Sequence, residues 1–469
     1  MALQSEQATR LILRLDQLPF SGWHRRLFVL AFVGVMFDAM DFAMFGAALP
    51  PIAAEFKLGP AEAGFLATIG LIGAFVGALV WGTISDYIGR RTAFQATVGI
   101  FSVFTALVAA SWNVASLAVF RFISNFGLGG EVPVAGTLAT EFMPTRVRGA
   151  ASGNVLAAFP VGLALAAALG LAIVPGFGWR ALFVVGILPA ALLFWVRRGM
   201  PESVRYLLSR GKIREAEEVV ATVERAALGR AAAATAASAP RADFAAEVGT
   251  AASQRVTVLQ LLKPEFRKRT ILMWVVSLGF FWSSNGILFM LPTILTQRGF
   301  TLAQAISFQL VQSIAAIFGY SICSFLVDRY GRRPVIFLYY LVGAVFHLWF
   351  ALAGGLGMYA AIGAVGWVNP GAFGPSIVYA GELYPTHLRA TGVGWFFGIG
   401  RIASFLAPSV VGLMLAGGLG QYVLHTFALS YLVAAAALLA VGIETRGLIL
   451  EKVHDVAEGE PSSVPVAVS

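Results

Sequence analysis

Apolar runs of about 20 residues, the length a helix needs to cross hydrocarbon, recur along almost the whole of this 469-residue chain. They predict spans near 27–50, 62–84, 92–111, 115–138, 149–173 and 179–198, then near 270–294, 304–327, 334–353, 356–380, 390–416 and 420–442. A bilayer interior offers no water to backbone groups, so such runs must be helices. Residues are 58% hydrophobic and 12% charged, and a soluble globular chain carries about twice that charged share. The expected fold is an all-α membrane protein of twelve transmembrane helices in two six-helix, pseudo-symmetric bundles.

Two polar signatures each occur twice, and the second copies follow the first by about 240 residues, as an internal repeat requires. One is Ser85-Asp86-Tyr87-Ile88-Gly89-Arg90-Arg91, echoed by Val327-Asp328-Arg329-Tyr330-Gly331-Arg332-Arg333. The other is Glu141-Phe142-Met143-Pro144-Thr145-Arg146-Val147-Arg148-Gly149, echoed by Glu382-Leu383-Tyr384-Pro385-Thr386-His387-Leu388-Arg389-Ala390. Two parallel halves related by an axis along the membrane normal can rock about a site between them.

The formal net charge of +9 would suggest nucleic acid in a soluble protein, but the basic residues here sit between spans and read as orientation. His24 to Arg26, Arg90-Arg91, Arg146, Arg148, Arg197-Arg198, Lys263 to Arg269, Arg332-Arg333, Arg389 and Arg446 all fall on one side, against Lys57, Arg180 and Arg298 on the other. Both termini are therefore expected in the cytoplasm, with the chain multi-pass in the cell (inner or plasma) membrane. The organisation expected is a cytoplasmic N-terminal amphipathic segment (1–26), a six-helix bundle (27–199), a cytoplasmic linker with surface helices (200–268), a second bundle (269–443) and a cytoplasmic tail (444–469). The N-terminal segment, which has no signal-peptide cleavage site, should lie along the inner membrane surface. Ala231 to Pro240 reads as a flexible Ala-rich linker, and the tail after Glu451 as disordered. Cys323, the only cysteine, reads as a small packing residue.

These residues resemble the major facilitator superfamily over nearly the whole chain. The loops at Asp86 and Asp328 look like its signature after the second span of each half. Pro201-Glu202-Ser203-Val204-Arg205 and Glu444-Thr445-Arg446-Gly447 look like marks of sugar-porter-type members after spans six and twelve. Asp38 to Gly46 is similar to the paired-aspartate first span of aromatic-acid:proton symporters and nicotinate transporters. Arg121 to Pro133 is similar to their fourth span, with a Gly-Glu-x-Pro ending closer to the nicotinate branch, and Gly394 to Arg401 to their eleventh. Span seven, Gly279-Phe280-Phe281-Trp282-Ser283-Ser284-Asn285, lacks the Gln pair of sugar porters, and span ten lacks their later Trp, which disfavours hexose.

An ionisable group inside a span costs about 2.5–3.5 kcal/mol on insertion scales, so it should line a cavity or find a partner. Asp38 and Asp41 are three residues apart and share one face of span one. Mutual repulsion and burial both raise carboxylate proton affinity. Either acid can carry a coupling proton, or one can merely pair with a base; the resemblance favours Asp41. Since spans one and four are neighbours in the superfamily, Arg121 is the counter-charge of Asp41, as a switch or a permanent pair. Glu131 is a second protonation site or a packing acid. Arg401 sits near the middle of span eleven with no obvious acid in its half, and its fork fits a carboxylate. It either holds an organic anion or is met by an acid across the cavity or by backbone carbonyls. Phe281, Trp282 and Asn285 could hold a flat ring, or simply pack. Asn154 is a weaker candidate, as readily an interhelical hydrogen bond. His347 and His425 read as structural.

By resemblance, Asp86, Gly89, Arg90, Arg91, Glu141 and Arg148, with Asp328, Gly331, Arg332, Arg333, Glu382 and Arg389, form a cytoplasmic gate that holds the outward-facing state, unless the arginines only set topology. Gly89 and Gly331 stand where a tight turn needs positive φ. The expectation is a secondary active transporter: proton-coupled uptake of a small aromatic carboxylate, nicotinate or a benzoate-type acid, by alternating access. A sugar or polyol symporter, an organic-ion efflux pump and a non-transporting membrane sensor are the alternatives. No metal-ligand spacing, phosphate loop or nucleophile elbow occurs, so neither an enzyme nor a cofactor is expected beyond the proton gradient. The expected partners are an organic anion, protons and the lipid bilayer, with no nucleic acid and a monomeric state.

Overall fold

A computed structural model of the chain describes residues 2–144, 155, 157–187, 201–229 and 258–445, and all regular structure among them is helical. In chain order the helices are α1 (Ala2–Asp16), α2 (Gly22–Glu55), α3 (Pro60–Ile88), α4 (Arg90–Ala109), α5 (Val114–Phe142), α6 (Ala158–Val185), α7 (Val204–Ser209) and α8 (Ile213–Leu228). There follow α9 (Val258–Leu261), α10 (Pro264–Gln297), α11 (Leu302–Tyr330), α12 (Arg332–Leu352), α13 (Gly357–Glu382), α14 (Thr386–Ala416) and α15 (Val423–Val441). Among the described residues, 9 helices are long and apolar enough to cross a membrane. The predicted spans fall on α2 to α6 and α10 to α15 with shifted ends. α2 runs on through Pro50 and Pro51 to Glu55. α6 carries the end of the fifth predicted span and the start of the sixth, joined across Gly178 at φ 79°. The first residues of span five, the last of span six, the Ala-rich linker and the tail after Glu451 lie outside the described residues.

Local chemistry sets several of these ends. Asn113 accepts from Ser116 N at 2.7 Å while Ser116 Oγ accepts from Asn113 N at 3.1 Å, a reciprocal cap that starts α5. Thr301 and Gln304 build the same device ahead of α11.

The chain divides into two compact units. The first draws on Met1–Asp41, Ile69–Gly162 and Arg180–Ser253. In it α3 and α5 cross at backbone distance, since a Cβ on Gly129 would come within 1.9 Å of Ala74 O. Small residues are how apolar helices associate where lipid removes the hydrophobic drive. α1, α7 and α8 add a helical cap whose core includes Leu11, Leu15, Leu207, Val220 and Val223. Arg14 Nε donates to Glu224 Oε1 at 2.9 Å and Nη2 to Oε2 at 2.6 Å, which holds the Arg14 guanidinium above its usual pKa. The apolar face of α1, expected on the membrane surface, is thus covered by α8.

The second unit draws on Phe42–Thr68, Leu163–Trp179 and Gln254–Ser469. Here α10 packs between α14 and α15, and α13 lies against α11 and α12. Segments from the first half of the sequence join this unit closely: a Cβ on Gly64 would lie 2.3 Å from Pro408 O, and Thr68 Oγ1 donates to Phe405 O at 2.8 Å. Cys323 is fully buried and its thiol donates to Gly371 O at 2.7 Å, in keeping with a packing role. His347 is also fully buried. Its Nδ1 must donate to the Gly343 carbonyl at 2.6 Å, so its Nε2 accepts from Ser283 Oγ at 2.7 Å.

Candidate functional site

In the first unit an arginine and an aspartate from different helices meet inside the apolar bundle. Arg121 on α5 is 1% exposed and Asp41 on α2 3%. Arg121 Nη1 lies 3.0 Å from Asp41 Oδ1 and 2.8 Å from Oδ2, and Nη2 lies 3.5 Å from the Asp41 carbonyl oxygen. Burial is costly for both charges, and the close pairing offsets it. Asp38 lies one turn before Asp41 on α2, and Glu131 further along α5; both are buried. Asn125, one turn beyond Arg121, is fully buried and donates through Nδ2 to the Arg121 carbonyl at 2.9 Å.

In the second unit Asn285 Nδ2 donates to Ser404 Oγ at 3.1 Å and thereby ties α10 to α14. The Phe281 ring fills the space that Gly400 leaves open, where a Cβ would meet it at 2.2 Å. Phe373 and Phe397 stand edge-on to that ring at centroid distances of 5.5 and 6.4 Å. Arg401 follows Gly400 and shares its face of α14 with Phe397 and Ser404, four residues before and three after. Among the described residues its half-buried guanidinium has no ion pair or hydrogen bond. Phe281 and Asn285 are thus brought to the α10–α14 seam, and Arg401 lies on α14 between the residues they touch, Gly400 and Ser404. Trp282 is directed elsewhere, its indole donating to Thr426 Oγ1 on α15 at 3.2 Å. Asn154 lies outside the described residues.

The repeated signatures form two matching corners, each turning on a glycine at φ 98°. At the first, Glu202 Oε1 accepts from the backbone of Arg90 at 2.9 Å and Arg91 at 3.1 Å, so a carboxylate caps the start of α4. At the second, Glu444 accepts from Arg332 N and Arg333 N, each at 3.0 Å, and caps α12 in the same way. Ser203 Oγ donates to Glu141, and Thr445 Oγ1 to Glu382 Oε2 at 2.5 Å. Arg90 pairs with Asp86 and donates to Ser85 Oγ at 2.9 Å, whereas Arg332 Nε pairs with Glu382 at 3.2 Å. Arg333 Nη2 donates to Leu439 O at 2.8 Å, and Arg389 Nε to Gly381 O at 3.1 Å. Arg148 and the side chain of Asp328 lie outside the described residues. Glu202, Ser203, Glu444 and Thr445 were not among the gate residues expected. Their signal was present in the sequence, since each pair follows the last span of its half.

Residues 31–408 match the family model described as Major Facilitator Superfamily. The chain belongs to the Major Facilitator Superfamily. It is 33% identical over 445 residues to the niacin transporter NiaP of Acinetobacter baylyi, covering 94% of this chain and 99% of that protein. It is 28% identical to the 4-hydroxybenzoate transporter PcaK of Pseudomonas putida, over 93% of this chain and 95% of the relative. Its fold matches the partially occluded, inward open xylose transporter XylE from E. coli with a TM-score of 0.71 at 18% identity, over 92% of this chain and 100% of that one. As a member of the Major Facilitator Superfamily, the protein is a multi-pass membrane transporter of small molecules with the two-bundle, twelve-helix fold, and not an enzyme.

Proposed function

We propose that the protein takes up a small aromatic carboxylate, of the nicotinate or benzoate type, together with protons by alternating access. The observation that carries this reading is the Arg401 guanidinium, which among the described residues has no protein counter-charge and belongs to α14 one turn from Phe397 and Ser404, the residues that meet Phe281 and Asn285. A guanidinium fork binds a carboxylate through two parallel hydrogen bonds, and aromatic edges and faces suit a flat ring. Relatives named for niacin and 4-hydroxybenzoate transport support the same substrate class. Asp41 carries the coupling proton: protonation removes the charge that holds Arg121, and α2 and α5 are freed to move. The Gly89 and Gly331 corners face the cytoplasm with both termini and act as the latches of one state.

The experiment is uptake of labelled nicotinate, benzoate and glucose into proteoliposomes, with and without an imposed proton gradient. Nicotinate or benzoate should accumulate against its gradient and glucose should not. Arg401→Ala should abolish accumulation with expression intact, and full retained transport would sink the substrate assignment. Asp41→Asn should leave uptake indifferent to the proton gradient; accumulation as in the wild type would refute the coupling role.

A further inference from the structure

Asn125 is a buried amide with one end unused. A carbonyl can only accept, so the bond to Arg121 O identifies the bonded atom as the amide nitrogen and leaves Oδ1 as the free acceptor. That oxygen is inaccessible and has no hydrogen-bond partner among the described residues. A buried acceptor without a donor costs stability, and native interiors hold few of them. Arg121 and Asn125 are i, i+4 neighbours on α5 and lie together against the backbone of α3. A Cβ on Gly70 would stand 3.2 Å from Asn125 Nδ2 and 3.4 Å from both Cγ and Nε of Arg121. The unused oxygen is therefore one helical turn from a guanidinium whose present partner is Asp41.

We propose that Asn125 is a positioning residue for proton coupling: its Oδ1 receives the Arg121 guanidinium when Asp41 is protonated. This rests on the coupling role proposed above for Asp41 and Arg121. In the ion-paired state the guanidinium points to α2. A proton from the aqueous side adds to the Asp41 carboxylate, the charge on that side is lost, and Arg121 keeps its own proton and charge. The Asn125 Oδ1, which has no donor of its own among the described residues, then offers the charged guanidinium an acceptor on the same helix. The side chain thus passes from a partner on α2 to a partner on α5, which releases one helix from the other.

Among the described residues the following groups lie near this pair. α2 presents Asp41, with Asp38 a turn away, α3 presents Gly70, and α4 presents Thr105, hydrogen-bonded to Ser124 at 2.8 Å. Glu131 lies further along α5, by about 9 Å of helix rise. Because Oδ1 stabilises the form with Asp41 protonated, removing it lowers the proton affinity of the site.

The test compares wild type, Asn125→Leu and Asn125→Asp in two measurements. In proteoliposomes, the pH at half-maximal uptake of labelled nicotinate should move about one unit more acidic in Asn125→Leu, as loss of one charge-assisted hydrogen bond predicts. It should move more alkaline in Asn125→Asp, which offers the released guanidinium a full counter-charge. In detergent, the infrared carbonyl band of protonated Asp41, identified by its loss in Asp41→Asn, should titrate with the same two displacements. A side chain that merely packs would change yield or rate and leave both half-points where they are. Unchanged half-points, or displacement of both variants in one direction, overturn the proposal. The infrared titration reads Asn125 without transport, so it still decides the role of Asn125 should Asp41→Asn accumulate nicotinate like wild type and refute the coupling reading.

Discussion

The Gly89 and Gly331 corners follow one plan with different residues, while the spans behind them share none. At each corner a glycine at φ 98° turns the chain, a glutamate from after the last span caps the next helix, and a hydroxyl beside that glutamate reaches the acid of the second signature. Inside the bundles the match ends. The first half buries Asp41 against Arg121, and the second carries Arg401 with no counter-charge among the described residues. The repeated part is suited to a mechanical task that both halves perform alike. The unrepeated part holds the charges that can bind a proton or an anion. The corners also differ in their surroundings: the first is braced by the cap of α1, α7 and α8, with Tyr206 Oη and Arg210 Nη2 donating to Tyr87 O at 3.1 and 2.7 Å.

The largest effect tests the contrast between the two arginines. Asp41→Ala removes the carboxylate paired with the Arg121 guanidinium, 1% exposed, and should cost about 3–5 kcal/mol, the range for breaking a buried pair from one side. Arg401→Ala strands nothing and should cost less than about 1 kcal/mol while removing transport. The measurement is the thermal unfolding midpoint of each purified variant in detergent. If Arg401→Ala proved as destabilising as Asp41→Ala, Arg401 would be a structural charge and the contrast would be lost.

A smaller effect tests the likeness of the corners. Glu202→Ala and Glu444→Ala each deprive a helix start of its carboxylate, and each should cost about 1.5–3 kcal/mol as charge-assisted hydrogen bonds to the backbone are lost. The two losses should agree to within about 1 kcal/mol, because both acids accept from two consecutive amides. A wide gap in unfolding midpoints would mean that the two caps, alike in geometry, do not contribute alike to stability.

What the sequence made legible follows from how strongly each physical demand constrains it. Hydrocarbon demands long apolar runs, so the spans could be read, and their ends drifted where Pro50 or Gly178 allows a helix to continue or bend. Two opposite charges inside such runs must meet, so Asp41 and Arg121 could be paired in advance. Adjacent residues diverge by about 100° on a helix, which is why Phe281 and Trp282, read together, face different neighbours. The amphipathic pattern of α1 says that one face needs cover but not whether lipid or α8 supplies it. Glu202 and Ser203 act on residues far away in sequence, so no local pattern could reveal their targets. Asn125 escaped notice because an amide inside a span looks like any interhelical hydrogen bond until its free oxygen is seen beside Arg121.

The smallest effect separates the two hydroxyls, and with them the two surroundings. Among the described residues Thr445 Oγ1 makes one hydrogen bond, to Glu382, so Thr445→Ala should cost about 1 kcal/mol. Ser203 Oγ donates to Glu141 and also accepts from Tyr206 N at 3.1 Å as the N-cap of α7. Ser203→Ala therefore removes the bond to Glu141 and a helix cap together, and should cost about 2 kcal/mol. Thr445→Ser keeps the hydroxyl and should be close to neutral, which checks that the loss in Thr445→Ala comes from the bond and not from packing. If Ser203→Ala and Thr445→Ala shift the unfolding midpoint equally, the cap on α7 adds nothing to the first corner. The α1, α7 and α8 assembly would then be an attachment beside the first corner. A larger shift for Ser203→Ala makes it part of that corner, and the first corner the more stable of the two.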